Sequence, residues 1–181
     1  GLLYKDVIEL SDPSLSGILN LGGTILGTAR EKIFRKKITS PDEKDQEEIK
    51  KCYHELDLDC LVCIGGNGTQ KTTWMLSELG LNVVGIPKTI DNDVYGTDVT
   101  FGFDTAVNIA TDAIDRLHST ASSHRRVMVI ELMGHHAGWI TLYAGMAGGA
   151  DIILLPELGY NMKVIIDKIK KRMEMGKAYS I

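Results

Sequence analysis

Asp91 and Asp93 stand two residues apart in the run Pro87-Lys88-Thr89-Ile90-Asp91-Asn92-Asp93. Two carboxylates at that spacing can divide the work: one takes a hydroxyl proton while the other helps to organise Mg²⁺. Lys88 adds a compact positive charge and Thr89 a hydroxyl, both suited to a phosphoryl group. An Asx-rich turn without chemistry uses the same residue types. The run alone leaves both readings open.

A second loop narrows the choice. Gly65-Gly66-Asn67-Gly68-Thr69 follows an apolar stretch and opens a helical one, the arrangement in which backbone N–H groups and the helix dipole hold an anion. Two familiar fingerprints fail on it. From Gly65 a phosphate-loop pattern finds Lys71-Thr72 in register but Gln70 where its glycine belongs, and a dinucleotide pattern from Gly66 ends on Lys71. A bare β-to-α turn needs glycine as well.

Further basic residues stand apart from these loops. Arg125 and Arg126 follow Ser122-Ser123-His124, and Arg30 follows Gly22-Gly23-Thr24 and Gly27; arginine is the residue for bidentate phosphate contact. His135-His136 reads as a non-metal pair, because neighbours on a helix point about 100° apart. Cys60 and Cys63 have the C-x-x-C spacing but lie in an apolar strand pattern without a second ligand pair. They read as core, with Cys52 the third cysteine.

The elements that must position these groups alternate along the chain. Residues 58–64 and 82–86 form apolar runs of strand length, 127–132 and 152–155 two more, and 1–10 hold one short strand. Helical patterns fill 69–79, 103–117, 138–147 and a last stretch to about residue 175. Ser40-Pro41-Asp42-Glu43 is a helix start with a capping box, leading a helix to about residue 56. Successive β-then-α units predict an α/β fold, a mostly parallel, Rossmann-like sheet flanked by helices, in one domain over residues 1–181 and incomplete at both ends. Such sheets place ligands at the carboxyl ends of their strands.

Composition excludes several classes. Of 181 residues, 44% are hydrophobic and 24% charged, with a net charge of -4, so bulk attraction to nucleic acid is not expected. The apolar run 152–156 is too short to span a bilayer. No charged-then-apolar segment opens the chain, which predicts a cytoplasmic location. Nineteen glycines exceed the average usage of about 7%, and they cluster where backbone would approach a ligand.

In order, these segments resemble the phosphofructokinase family. The matching runs are Gly22 to Arg30, the glycine loop at Gly65, Pro87 to Asp93, Gly96-Thr97-Asp98, Ser122 to Arg126, Met133-Gly134 and Gly148-Gly149. The resemblance implies transfer of the γ-phosphoryl of ATP, with Mg²⁺, to the 1-hydroxyl of fructose 6-phosphate. It makes Asp91 the base, supported by Asp93, Thr89 and Lys88. Arg30, Gly66, Asn67, Gly68 and Thr69 would meet the donor's phosphates, with Asn67 the candidate Mg²⁺ ligand. Met133, Gly134 and His135 would line the sugar pocket, where Thr89 and Asp91 also touch substrate. Arg126 would reach the sugar 6-phosphate in a neighbouring subunit, which implies a homo-oligomer.

Four positions depart from or divide the family pattern. Asn67 stands where the family usually has Asp, and His135 where it often has Arg. Gly68 is similar to the ATP users, whereas pyrophosphate users carry Asp there; Lys88 is similar to the pyrophosphate branch. Room for a nucleotide outweighs one added charge, so ATP is the expected donor and pyrophosphate the alternative. The family's first glycine-rich nucleotide loop and its C-terminal half have no counterpart here, so the expectation is a poorly active central fragment. Two rivals differ in class: a phosphosugar- or nucleotide-binding module without turnover, and a relative of diacylglycerol or NAD kinases, which lack the Pro-Lys-Thr-Ile-Asp-Asn-Asp continuation.

Overall fold

A computed structural model describes residues 1–28 and 43–181; the proposed cap Ser40-Pro41-Asp42 and the donor-side candidate Arg30 lie outside the described residues. The chain divides into two compact units, Gly1–Cys63 with Lys71–Gly85 and Ile64–Gln70 with Ile86–Ile181.

The first unit opens with a 3-10 turn at Leu2–Tyr4 where a strand was expected, then a short helix α1 (Asp12–Leu15) and a second 3-10 turn, Ile18–Asn20. Helix α2 (Glu43–Glu55) follows, with Ile49, Cys52 and Tyr53 buried. Their i, i+3, i+4 spacing makes one apolar stripe on an otherwise charged helix. Ile49 and Tyr53 of that stripe pack with Met75, Leu76 and Leu81 into the unit's core. Met75 and Leu76 come from α3 (Asn67–Glu78), which follows strand β1 (Leu61–Gly65). The Tyr53 hydroxyl donates to the Asn82 carbonyl at 3.1 Å, so the buried phenol keeps a partner.

Strand β2 (Val83–Thr89) runs three residues further than the apolar pattern predicts. The sheet order is β1-β2-β3. In the second unit β2 pairs in parallel with the short β3 (Phe101–Gly102), Lys88 opposite Phe101 and Thr89 opposite Gly102. Helix α4 (Phe103–His124) buries Phe103, Ala110, Ile114 and Ala121, steps of seven and four that keep one face inward. Against it lies α5 (Trp139–Ala147), a small-residue helix with Ile140 and Ala144 buried. The last helix is α6 (Met162–Glu174), capped by the Asn161 side chain on the Lys163 N–H.

Two expected strands are not strands. Residues 127–132 and 152–155 form no ladder; the one bridge recorded there among the described residues is Val127 with Ser180. Their backbone bonds go to the last residues instead: Met128 N–H to the Ser180 carbonyl at 2.9 Å, and Ile152 N–H to that of Ile181 at 3.3 Å. An apolar run reports burial, whereas a strand needs successive lateral partners.

The α4–α5 contact depends on Gly148, directly after α5. A Cβ there would lie 2.6 Å from Ile114 Cγ2 and 3.0 Å from the Ala144 carbonyl oxygen. Gly148→Ala is therefore expected to destabilise the protein by about 1–3 kcal/mol, the usual cost of overpacking, read as a lower thermal or denaturant midpoint.

Candidate functional site

Glycine at the end of β1 is a steric requirement. Gly65 is buried, and a Cβ on it would sit 2.2 Å from Thr69 Oγ1 and 2.7 Å from Thr69 Cβ, so only glycine lets the first turn of α3 fold back so closely. Gln70, which breaks the phosphate-loop pattern, has a different task. Its Nε2 donates to the Gly65 carbonyl at 2.9 Å and to the Ile86 carbonyl at 2.8 Å. One carboxamide thus ties the end of β1 to β2.

The glycine turn rests against the acidic loop. A Cβ on Gly66 would lie 3.6 Å from Thr89 Cβ. Asn67, the first residue of α3, donates through Nδ2 to Asp93 Oδ2 at 2.9 Å and to the Asp93 carbonyl at 3.2 Å. A carboxylate at position 67 would face Asp93 with like charge; the amide faces it as a donor. Gly68 and Thr69 occupy the first turn of α3, at the positive end of its dipole.

Within the acidic loop, the Asp91 N–H donates to Thr89 Oγ1 at 3.2 Å. Asn92 has φ +52°, a left-handed conformation that Asn tolerates better than most residues. Its Oδ1 accepts the Thr100 N–H at 2.9 Å, and Thr100 Oγ1 donates to the Thr89 carbonyl at 2.7 Å. Asp91 is half-buried, while Asp93 and Lys88 are exposed. The arrangement offers one carboxylate held on a braced backbone, a second bridged to the glycine turn, and a cation on the adjoining strand.

The other candidates are placed but not joined to this loop. Arg126 follows the left-handed cap Arg125 of α4, its N–H on the Ala121 carbonyl at 3.0 Å. Met133 is exposed. Gly134 has φ +143°, and a Cβ there would meet the Ala137 carbonyl. The His135 and His136 rings stack at 3.8 Å between centroids. Among the described residues, no hydrogen bond or ion pair links Arg126, Met133, Gly134 or His135 to residues 87–93. All three cysteines are free thiols; Cys52 is buried, and Cys63 packs on the first unit's core.

Among the described residues no cluster of three or more His, Cys, Asp and Glu could cage a metal. The oxygens present still suit Mg²⁺, which is usually bound by one or two carboxylates together with waters and substrate phosphates. Asp91, Asp93 and the side-chain carbonyl of Asn67 are the residues that would hold it.

Thr100 and Gln70 are the residues that pattern reading misses here. Gln70 carried a signal, since it replaces a glycine at a phosphate-loop position. Thr100 carried none, because a hydrogen bond across a loop has no sequence period.

A family model described as Phosphofructokinase matches residues 1–181. A Bacteroides thetaiotaomicron protein named ATP-dependent 6-phosphofructokinase 3 is 61% identical over 181 residues, all of this chain and 54% of that protein. An ATP-dependent 6-phosphofructokinase of Spirochaeta thermophila is 57% identical over 188 residues, covering 50% of its length. The chain spans about half the length of the curated relatives it matches. The Saccharomyces cerevisiae phosphofructokinase structure superposes with a TM-score of 0.78 at 29% identity, covering 94% of this chain and 26% of that one. A pyrophosphate-dependent phosphofructokinase structure from Marinobacter aquaeolei has a TM-score of 0.75 at 24% identity over 93% of this chain and 44% of that one, a likeness of fold.

Proposed function

The chain belongs to the phosphofructokinase family, and on that premise we propose that it is the central part of a cytoplasmic 6-phosphofructokinase, transferring the γ-phosphoryl of ATP to the 1-hydroxyl of fructose 6-phosphate. Asp91 accepts the hydroxyl proton as the new O–P bond forms and ADP leaves. Lys88 and the positive end of α3 offset phosphate charge, and Thr89 and Asp93 hold the loop. Bound Mg²⁺ neutralises charge on the transferring phosphates. Catalysis of this kind is mainly positioning and charge stabilisation.

One observation carries the reading: Asn67 bridges the glycine turn to Asp93 at 2.9 Å. It supports a single site in which donor phosphates and acceptor hydroxyl meet. Arg126, with Met133, Gly134 and His135, completes the sugar-phosphate side in a homo-oligomer, where Arg126 serves a neighbouring copy. Residues 1–181 are one portion of the catalytic unit, and the isolated chain turns over slowly.

Assays of fructose 6-phosphate phosphorylation with ATP and with pyrophosphate, on the full reading frame, test this. The expected result is turnover with ATP. Activity with pyrophosphate and none with ATP overturns the donor assignment and points to Lys88 as the deciding residue. A normal steady-state rate from the 181-residue chain alone overturns its status as a part.

A further inference from the structure

Thr100 is 2% exposed, and none of the roles above uses it. Through its hydroxyl it holds the Thr89 carbonyl at 2.7 Å, and through its N–H the Asn92 side chain at 2.9 Å. Those two anchor points flank Asp91, whose own N–H is held by Thr89 Oγ1 at 3.2 Å. The loop is therefore pinned on both sides of the proposed base to one buried residue at the edge of β3. Glycine could supply the left-handed backbone at position 92, but not the carbonyl that accepts the Thr100 N–H.

We infer that Asn92 and Thr100 form a clip that sets where the Asp91 carboxylate stands, and that both are positioning residues for phosphoryl transfer. The inference rests on the reading of Asp91 as the base. Ordering a loop before substrate arrives removes a conformational cost from the reactive geometry, and misplacing a reacting group by about 1 Å costs on the order of 10²-fold in rate. A residue that only stabilised the fold would lower the melting point without separating kcat from KM.

The test uses the full reading frame with four variants. Thr100→Val removes the hydroxyl at nearly equal volume, and Thr100→Ser restores it. Asn92→Gly keeps the backbone conformation without the acceptor, and Asn92→Asp keeps an acceptor. Thr100→Val and Asn92→Gly are expected to lower kcat about tenfold or more with KM for fructose 6-phosphate unchanged. Thr100→Ser is expected to recover most of the loss. Normal kcat in both Thr100→Val and Asn92→Gly, whatever their stability, overturns the proposal. Amide hydrogen exchange reads the clip without any reaction: the Thr100 N–H should exchange slowly in the parent and in Asn92→Asp, and fast in Asn92→Gly. Fast exchange in the parent, or equal protection in Asn92→Gly, overturns the clip itself. A parent that leaves fructose 6-phosphate unphosphorylated overturns the assigned reaction and the positioning role with it, while exchange still decides the clip.

Discussion

Asp91→Asn is expected to lower kcat by about 10³-fold, within the range of roughly 10²–10⁴ that a positioned general base contributes. The substitution is nearly isosteric, and the contacts that place residue 91 are made by its backbone, through the N–H on Thr89 Oγ1. The loop should keep its shape and the protein its stability. What disappears is a lone pair able to take the 1-hydroxyl proton as the O–P bond forms. Removing a negative charge beside the phosphates leaves binding of fructose 6-phosphate intact or tighter, so the loss falls on kcat. Steady-state kinetics with separate calorimetric binding checks both halves. An unchanged kcat sinks the assignment of Asp91. A parent that binds fructose 6-phosphate without turning it over favours the binding-module reading instead.

How far the sequence led can be judged residue by residue. The alternation of apolar runs and helical stripes predicts α3 closely and the start of α4, because burying one face imposes a period on the residues; α4 continues seven residues past the pattern, to His124. At 127–132 and 152–155 an apolar run of strand length gives no strand. Those residues are apolar enough for strands, but pairing is a property of neighbours, and the backbone there bonds chiefly to Ser180 and Ile181. Strand β3 is missed for the opposite reason: Phe101–Gly102 is too short to show any period, and the register with Lys88 and Thr89 alone defines it.

The candidate site was legible in its chemistry and opaque in its bracing. Asp91, Asp93 and the glycine turn could be found because acids, glycines and their spacing are visible in one dimension. That Asn67 would donate to Asp93, or that Gln70 would join the end of β1 to the middle of β2, depends on approach across 26 and 16 residues. Asn67 is instructive in this respect. It stands where the family usually has Asp, and its amide nitrogen, which a carboxylate lacks, is the donor that links the two loops.

Gly68→Asp is the second large expected effect, acting on the donor rather than the acceptor. A Cβ at position 68 meets nothing within 4 Å, and the residue is exposed in the first turn of α3. An acidic residue there even suits the helix dipole. The folded protein should therefore tolerate the change with no loss of thermal stability. The donor should not. On the proposed function, a carboxylate there sets like charge against the nucleotide's α-phosphate, which costs several kcal/mol at an interface. At about 1.4 kcal/mol per decade, KM for ATP should rise on the order of 100-fold, with KM for fructose 6-phosphate unmoved. Pyrophosphate has no third phosphate to clash, and Lys88 already stands on the adjoining strand. A gain of pyrophosphate-driven turnover in Gly68→Asp would show that Lys88 is a working part of a donor site one substitution away from switching. Unchanged KM for ATP would mean that the open space beside Gly68 is not where the nucleotide lies.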